Sequence, residues 1–115
     1  MEFTKTLKKN YEFRRLYSKG KSAVTPFLVV YARKTKRREN RIGFTVSTKL
    51  GKAVVRNRVR RRLREIYRLH EAEFLPGLEL VIVARSRAVS TAYGQLERAL
   101  LSAGGKLRLL RREEA

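Results

Sequence analysis

Hydrophobic and polar positions recur with two different periods along this chain, and these periods divide it into helices and strands. Residues 53–70 show the helical period, since four apolar positions recur at steps of four, four and three: Val55, Val59, Leu63 and Ile66. A shorter helix is predicted from Asn10, as its N-cap, to about Lys19, and Gly20 should end it. Its apolar face would comprise Phe13, Leu16 and Tyr17.

Three other segments are typical of strands. Residues 27–33 divide into a core face, with Leu28, Val30 and Ala32, and an opposite face, with Phe27, Val29, Tyr31 and Arg33. Residues 41–48 place Ile42, Phe44 and Val46 inward and Gly43, Thr45 and Ser47 on the other face. We interpret these two segments as a hairpin across the polar loop 34–40. Residues 78–84 form a nearly continuous apolar strand, of the type buried on both faces.

The two ends of the chain carry weaker signals. Residues 1–9 are a basic lead-in that we expect to be flexible, and residues 111–115 form a tail. Ser90 or Thr91 should cap a last helix with an apolar stripe of Leu96, Leu100 and Leu101. The pair Gly104–Gly105 is expected to weaken or break that helix. The element order predicts one domain over residues 1–115, an α+β two-layer sandwich with an antiparallel-rich sheet.

Charge changes this picture more than composition does. The chain carries 29 Lys and Arg against 10 Asp and Glu, a net charge of +19 and a pI near 11.4. Such an excess attracts phosphate polymers and argues against acidic ligands and metal storage. No apolar run reaches the length of a membrane span, and the absence of cysteine excludes disulfides and thiolate sites. The N-terminus has no apolar signal region, so we expect a cytoplasmic protein.

The densest part of this charge lies between Lys49 and Arg68, where nine Lys and Arg face one acid, Glu65. Arg56, Arg60 and Arg64 form a column with four-residue spacing, beside Asn57, Arg61 and Arg68. Like charges at this spacing destabilise an isolated helix, which favours a bound polyanion, RNA or DNA. The alternative is a solvated helix face, although such faces normally mix signs. Asn57 is either a polar contact or an exposed residue that the helix tolerates.

A second candidate surface combines aromatic and basic side chains from two elements. If the first helix lies on the less covered face of the sheet, Phe13 and Tyr17 would meet Phe27, Tyr31 and Arg33 in a cleft. Aromatic faces with nearby cations favour single-stranded nucleic acid. Ordinary core packing is the alternative, and the spacing alone slightly favours it for each aromatic residue.

The sequence contains no recognisable catalytic set. His70 is the only histidine and stands at the end of the basic helix, where a capping or surface role is favoured over catalysis. The acids are scattered, and neither glycine pair has the spacing of a nucleotide-binding loop. We therefore expect no metal site, no cofactor and no enzymatic activity of the chain alone.

The run from Lys49 to Glu65 resembles the signature of the protein subunit of bacterial ribonuclease P. The matching residues are Lys49, Gly51, Lys52, Ala53, Val54, Arg56, Asn57, Arg58, Arg60, Arg61, Arg64 and Glu65. The similarity extends to Leu7, Lys8, Phe13 and Gly20, to Arg41, Gly43, Val46 and Ser47, and to residues 81–85. Arg62 departs from the pattern, since that position is usually apolar in the family. Its stem would lie on the sheet, or this edge of the helix would be less buried.

The resemblance implies a ribosomal-protein-like fold of order αβββαβα, with a left-handed crossover through the basic helix. It also implies a non-catalytic subunit of a ribonucleoprotein, whose RNA uses Mg²⁺ to cut precursor tRNA at the 5′ end of the mature sequence. Contacts with that RNA would be made by Arg56, Asn57, Arg58, Arg60, Arg61 and Arg64, with Lys52 nearby and Arg68 on the same helix. The single-stranded 5′ leader would contact Phe13, Tyr17, Tyr31, Ser47 and Lys49, to which the predicted cleft adds Phe27 and Arg33.

Two other functional classes remain in contention. A structural RNA binder of the ribosomal type would need the basic helix but not the aromatic cleft. A membrane-surface or DNA-coating protein would use charge alone, although the basic helix lacks the broad apolar face of a membrane-surface helix. No obligate protein partner is expected for any of them.

Overall fold

A computed structural model describes residues 1–111, which form one five-stranded sheet with three helices. The helices are α1 (Asn10–Lys19), α2 (Ala53–His70) and α3 (Tyr93–Lys106). The strands are β1 (Thr4–Thr6), β2 (Lys21–Val24), β3 (Leu28–Lys34), β4 (Asn40–Thr45) and β5 (Leu78–Ala84). The predicted α+β class is confirmed, and the order after β1 is αβββαβα. None of the described helices combines the length and hydropathy needed to cross a membrane.

The sheet order is β1-β4-β5-β3-β2, which places β5 at the centre. β5 pairs antiparallel with β3 and parallel with β4, while β1 is parallel to β4 and β2 antiparallel to β3. The predicted hairpin of β3 and β4 is therefore wrong, because β5 separates them. The physical reason is burial: six of the seven residues of β5 are buried, and only a central strand between two neighbours reaches that state.

The main core lies between one face of the sheet and the layer formed by α2 and α3. The predicted inward residues of β3 and β4 lie there, as do the apolar stripes of both helices: Leu28, Val30, Ala32, Ile42, Val59, Leu63, Ile66, Leu96 and Leu100. Val55 and Leu101 are half-buried at its margin. The predicted bounds of α2 are confirmed, since the stripe at helical spacing is the side that the helix turns toward the sheet.

Helix α1 covers part of the opposite face through a smaller cluster of Leu7, Leu16 and Val81. The helix ends at Lys19 as predicted, and the N–H of Gly20 donates to the Leu16 carbonyl over 2.9 Å. Its N-cap is Lys9, not Asn10. The Glu12 carboxylate accepts the Lys9 N–H over 3.2 Å, and so closes the first turn from inside the helix.

The N-terminal lead-in is a structured part of the sheet, which corrects the expected flexibility of residues 1–9. The buried carboxylate of Glu71 accepts the N–H groups of Glu2 and Phe3 over 2.9 and 3.1 Å. The Thr4 hydroxyl lies 2.8 Å from the hydroxyl of buried Tyr67, and burial raises the pKa of that phenol. β1 escapes sequence analysis because its three residues, Thr-Lys-Thr, have no apolar pattern.

The C-terminal predictions need two corrections. Neither Ser90 nor Thr91 caps α3, because the helix begins at Tyr93 after Ala92, and the Thr91 hydroxyl instead bonds the side chain of Gln95. The pair Gly104–Gly105 does not break α3. A β-carbon on Gly104 would lie 3.3 Å from Leu110, so the glycine lets the returning chain pack closely on the helix. Of the predicted tail, Arg111 is described and residues 112–115 lie outside the described residues.

His70 joins the ends of α2 and α3 through two carboxylates. Its Nε2 lies 2.8 Å from Glu97, and its Nδ1 contacts Glu73. Both ring nitrogens can donate only in the imidazolium. The hydrogen bond to Glu97 is the main cause that raises the pKa of His70 above its ordinary value, with Glu73 acting in the same direction and partial burial opposing both. The side chain thus links the end of α2 with the turn that follows it and with α3.

The raised pKa predicts how stability depends on pH. The contribution of His70 is complete below its unfolded-state pKa of about 6.5 and is lost as the pH rises through its folded-state pKa. We expect His70→Gln to lower the free energy of unfolding by about 1 kcal/mol at pH 6, and by progressively less at higher pH. Urea titrations between pH 6 and 9 measure this difference. Glu97→Gln is the control and should weaken the pH dependence, whereas a difference constant with pH would contradict the bridge.

Candidate nucleic-acid interface

The outward face of α2 presents most of its basic residues to solvent. Its apolar stripe faces the core, so the remaining positions form an exposed strip: Lys52, Asn57, Arg58, Arg61, Arg64 and Arg68. Arg56 and Arg60 are half-buried at its edges. The predicted RNA-contact residues thus lie together on one side of one helix. Glu65 is the one exposed acid on this face of α2, and the excess of bases gives the strip the charge and length to follow a phosphate backbone.

Several of these arginines are positioned by the protein itself. Arg56 Nε donates to the Gly51 carbonyl over 3.1 Å, and Arg60 Nη1 donates to the Asn57 Oδ1 over 3.0 Å. Asn57 is exposed, and its side-chain oxygen orients a guanidinium one turn later. Each guanidinium has five N–H donors, so the internal bond leaves others available for phosphate.

Arg58 and Arg62 hold α2 to the segment that connects β5 with α3. Arg58 Nη2 donates to the Val89 carbonyl over 3.2 Å, and Arg62 Nη1 donates to the Thr91 carbonyl over 3.3 Å. Arg62 is half-buried, which accounts for a basic residue where the family pattern is apolar. Its stem packs along the helix edge while its head satisfies a backbone carbonyl.

An open groove of about 520 Å³ runs between α1 and the end of β4 and reaches α2. Its lining comprises Asn10, Phe13, Arg14 and Tyr17 from α1, Phe44, Thr45 and Val46 from the β4 end, and Arg60 from α2. We call it the aromatic groove. Arg60 belongs to both the basic helix and the aromatic groove, so the two candidate surfaces are continuous. The sequence predicts Arg60 only as part of the basic helix, because nothing in the sequence shows that α1 and the end of β4 lie beside it.

The rings of the aromatic groove are fixed by close contacts. A β-carbon on Gly43 would lie 2.5 Å from Cε1 of Phe13, so the ring rests directly on the glycine backbone. The Tyr17 hydroxyl lies 2.8 Å from the Thr45 hydroxyl, and its ring meets Tyr31 edge-on at 5.0 Å. Tyr17 is 40% exposed, while Phe13 and Tyr31 are half-buried against the small α1 cluster. Tyr31 contacts Tyr17 but is not among the residues that line the groove, so core packing and surface display apply to different rings of the predicted set.

Arg33 is committed to an ion pair beneath α1. The Glu79 carboxylate, 2% exposed, lies 3.0 Å from Arg33 Nε and 3.2 Å from Arg15 Nη2. A second pair, Arg41 with Glu12 at 2.7 Å, lies under the same helix. These pairs fasten α1 to the sheet, and sequence analysis missed them. The available signal was Glu79 itself, a lone acid inside an apolar strand that requires a cationic partner.

Phe27 does not lie in the aromatic groove, so its predicted place beside Tyr31 is wrong. It precedes β3 in a turn held by the Thr25 hydroxyl, which accepts the N–H groups of Phe27 and Leu28 over 3.2 and 3.0 Å. Alternation does not extend into this turn, and the ring packs toward the main core beside α3. Ser47 and Lys49 are exposed in the short turn before α2, outside the groove lining, where the Ser47 hydroxyl accepts the Lys49 N–H.

Comparisons with known proteins decide the family. A sequence model of the family described as ribonuclease P matches residues 1–108. The chain belongs to the ribonuclease P protein family. A ribonuclease P protein component from Natranaerobius thermophilus is 40% identical over 107 residues, which cover 93% of each chain. Membership places the chain in the RNA–protein endoribonuclease that processes tRNA.

Solved structures agree with this assignment. The ribonuclease P protein of Staphylococcus aureus superposes with a TM-score of 0.84 at 32% identity, covering 92% of this chain and 97% of that one. The protein from Thermotoga maritima gives 0.79 at 27% identity, covering 96% and 99%. The fold implied by the resemblance is therefore the fold of this member of the ribonuclease P protein family.

The contact between Gly43 and Phe13 generates a test of the aromatic groove. We expect Gly43→Ala to lower the free energy of unfolding by about 1–3 kcal/mol, because the added methyl displaces the Phe13 ring. Combining it with Phe13→Leu should recover part of that loss, measured as a coupling energy in a double-mutant cycle. Gly94→Ala is the control, since its β-carbon would meet only Arg98, at 3.7 Å. A Gly43→Ala protein as stable as the wild type would show that the ring does not depend on the glycine.

Proposed function

We propose that this chain binds the ribonuclease P RNA through the exposed strip of α2 and holds the single-stranded 5′ leader of precursor tRNA in the aromatic groove. The observation that carries the proposal is the position of Arg60, at which the strip and the groove meet. A chain bound to the RNA subunit through α2 would then present the groove beside it. Leader and catalytic RNA would contact adjoining surfaces of one rigid domain.

Charge supplies the physical reason for such a subunit. Catalytic RNA and precursor tRNA are both polyanions and repel each other. A protein of net charge +19 between them reduces this repulsion and releases bound counterions from both. The long-range attraction does not depend on sequence, so recognition of the leader requires the short-range contacts of the aromatic groove.

The aromatic groove suits a single strand better than a duplex. Tyr17 exposes an aromatic face, and the neighbouring Arg14 and Arg60 supply cations for the backbone. Stacking on an aromatic face is tolerant of base identity, which is appropriate for leaders of varied sequence. A structural RNA binder of the ribosomal type would have no use for this combination, which disfavours that alternative.

The proposal assigns no bond-making step to the protein. Neither a histidine nor a carboxylate lines the aromatic groove, and His70 is bound to two glutamates at the far end of α2. Among residues 1–111, no three His, Asp or Glu side chains converge as a metal site requires. The RNA subunit would supply the chemistry with Mg²⁺, in the cytoplasm and without an obligate protein partner.

Tyr17 provides the test of leader binding. In the reconstituted holoenzyme, Tyr17→Ala should weaken binding of leader-bearing precursor tRNA by roughly 5- to 150-fold, the equivalent of about 1–3 kcal/mol for one stacked base. Binding of mature tRNA, which has no leader, should not change. Tyr17→Phe is the matched control, because it keeps the ring and loses only the hydroxyl bond to Thr45. Equal losses for both tRNAs would remove the leader from this groove.

Adjacent arginines test the strip on α2. Arg61 is exposed, whereas Arg62 donates to the Thr91 carbonyl. We expect Arg61→Gln to reduce the slope of log affinity against log salt for the ribonuclease P RNA by about 0.7–0.9, with an unchanged thermal midpoint. Arg62→Gln should instead lower the thermal midpoint and leave the slope nearly constant. The proposed strip would be misplaced if the two variants exchanged these effects.

A further inference from the structure

A second basic groove, of about 400 Å³, lies at the end of the molecule where α1 and α3 terminate. Four exposed cations line it from four different segments: Lys19 at the end of α1, Lys21 in β2, Lys34 at the end of β3 and Arg108 after α3. We call it the C-terminal groove. Arg33 also lines it but is paired with Glu79. None of these residues belongs to α2 or to the lining of the aromatic groove.

The charges of the C-terminal groove are not balanced within the described chain. No acid lines it, and among residues 1–111 none of the four exposed cations forms a salt bridge. Like charges that converge from separate segments repel one another and oppose folding. An arrangement of this kind is favourable when an anion with several charges occupies it.

The helix dipoles explain only half of this arrangement. Lys19 and Arg108 lie at the C-terminal ends of α1 and α3, where a cation offsets the negative end of the dipole. Lys21 and Lys34 project from strands, and strands have little net dipole. The helix dipoles therefore do not account for Lys21 and Lys34.

Arg108 occupies a backbone conformation that favours glycine. Its φ is +58°, the only positive φ of a non-glycine residue among residues 1–111. The residue closes α3, with its own N–H donating to Gly105 and the next N–H, of Leu109, donating to Gly104, over 3.1 and 2.9 Å. Glycine is the unstrained choice at this position of a helix C-terminus. The arginine places a cation at the mouth of the groove at the expense of some backbone strain.

The position of the C-terminal groove indicates which polyanion occupies it. Ala32 and Leu109, which also line it, belong to the main core between the sheet and the layer of α2 and α3. Lys19 and Arg33 come from the α1 side of the sheet, so the groove lies at an end of the sheet that both layers reach. Its α3 wall belongs to the layer that α3 forms with α2, and it shares no residue with the aromatic groove. An RNA bound along α2 can continue past the end of α3 to this groove.

We propose that the C-terminal groove is a second contact site for the phosphate backbone of the ribonuclease P RNA, separate from the strip on α2. This inference rests on the proposed function, because it takes as occupant the RNA assigned to α2. Two separated contacts on one rigid domain would fix the orientation of the protein on that RNA, whereas a single helix leaves rotation about its own contact free.

The test compares two charge removals of equal size. Lys21→Gln combined with Lys34→Gln should reduce the salt slope of binding to the cognate ribonuclease P RNA by about 1.5, from two lost phosphate contacts. Lys8→Gln with Arg38→Gln is the matched control, because both residues are exposed and neither forms a salt bridge among residues 1–111. Lys8 follows β1, the opposite edge strand, and Arg38 lies beside a cavity with Phe3. Equal changes of slope in the two double variants would show a general charge effect and overturn the proposal.

Arg108→Gly separates binding from folding, because it removes the cation and relieves the backbone strain together. We expect a weaker affinity for the RNA with a thermal midpoint at or above that of the wild type. An unchanged affinity would remove Arg108 from the site. A loss confined to precursor tRNA binding by the assembled holoenzyme would overturn the choice of RNA. If the wild-type protein showed no affinity for the ribonuclease P RNA, the proposed function itself would fail. If instead the double variant of Lys21 and Lys34 kept the wild-type salt slope, only the second site would be rejected.

Discussion

The structure of this protein depends on one buried carboxylate, Glu79, held between Arg15 of α1 and Arg33 of β3. A carboxylate at 2% exposure is stable only with partners that replace water, and here two guanidiniums do so. Because Arg15 lies on α1, the same bond determines where the helix sits on the sheet. The aromatic groove is the space that remains between α1 and the end of β4. Its existence therefore follows from an interaction in which none of its own rings takes part.

The other buried acids also make contacts inside the fold, and this leaves the surface with an excess of positive charge. Glu12 pairs with Arg41 under α1, and Glu71 accepts the N–H groups of the N-terminal strand. These three acids are thus buried inside the fold, whereas α2 and the ends of α1 and α3 expose cations. A chain with 10 acids and 29 bases consequently exposes a surface even more one-sided than its composition suggests.

Sequence analysis succeeded where the determining interactions are local and failed where they are long-range. The bounds of α2 and its outward bases follow from a spacing contained within 18 residues. The order of the strands does not follow from local spacing. β5 lies between β3 and β4, and this placement depends on how all three strands are buried together. The predicted position of Phe27 is wrong for a related reason. The turn at Thr25 interrupts the strand alternation from which that position was inferred. The ion pair of Arg33 could have been inferred from the isolated acid in β5.

Arg60 links these levels of organisation. Its place on α2 is set by helical spacing, and its head is oriented by Asn57. Its position beside Tyr17 depends on the ion pairs of Glu79 and Glu12, which help to hold α1 on the sheet. A change at Glu79 would therefore reach the groove without touching any residue proposed to bind RNA. The side chains proposed to bind RNA contribute little to the stability of the fold, since they are exposed arginines and partly exposed rings. The buried acids Glu12, Glu71 and Glu79 instead stabilise the fold, through ion pairs and hydrogen bonds to the backbone. These internal contacts help so basic a chain to remain compact.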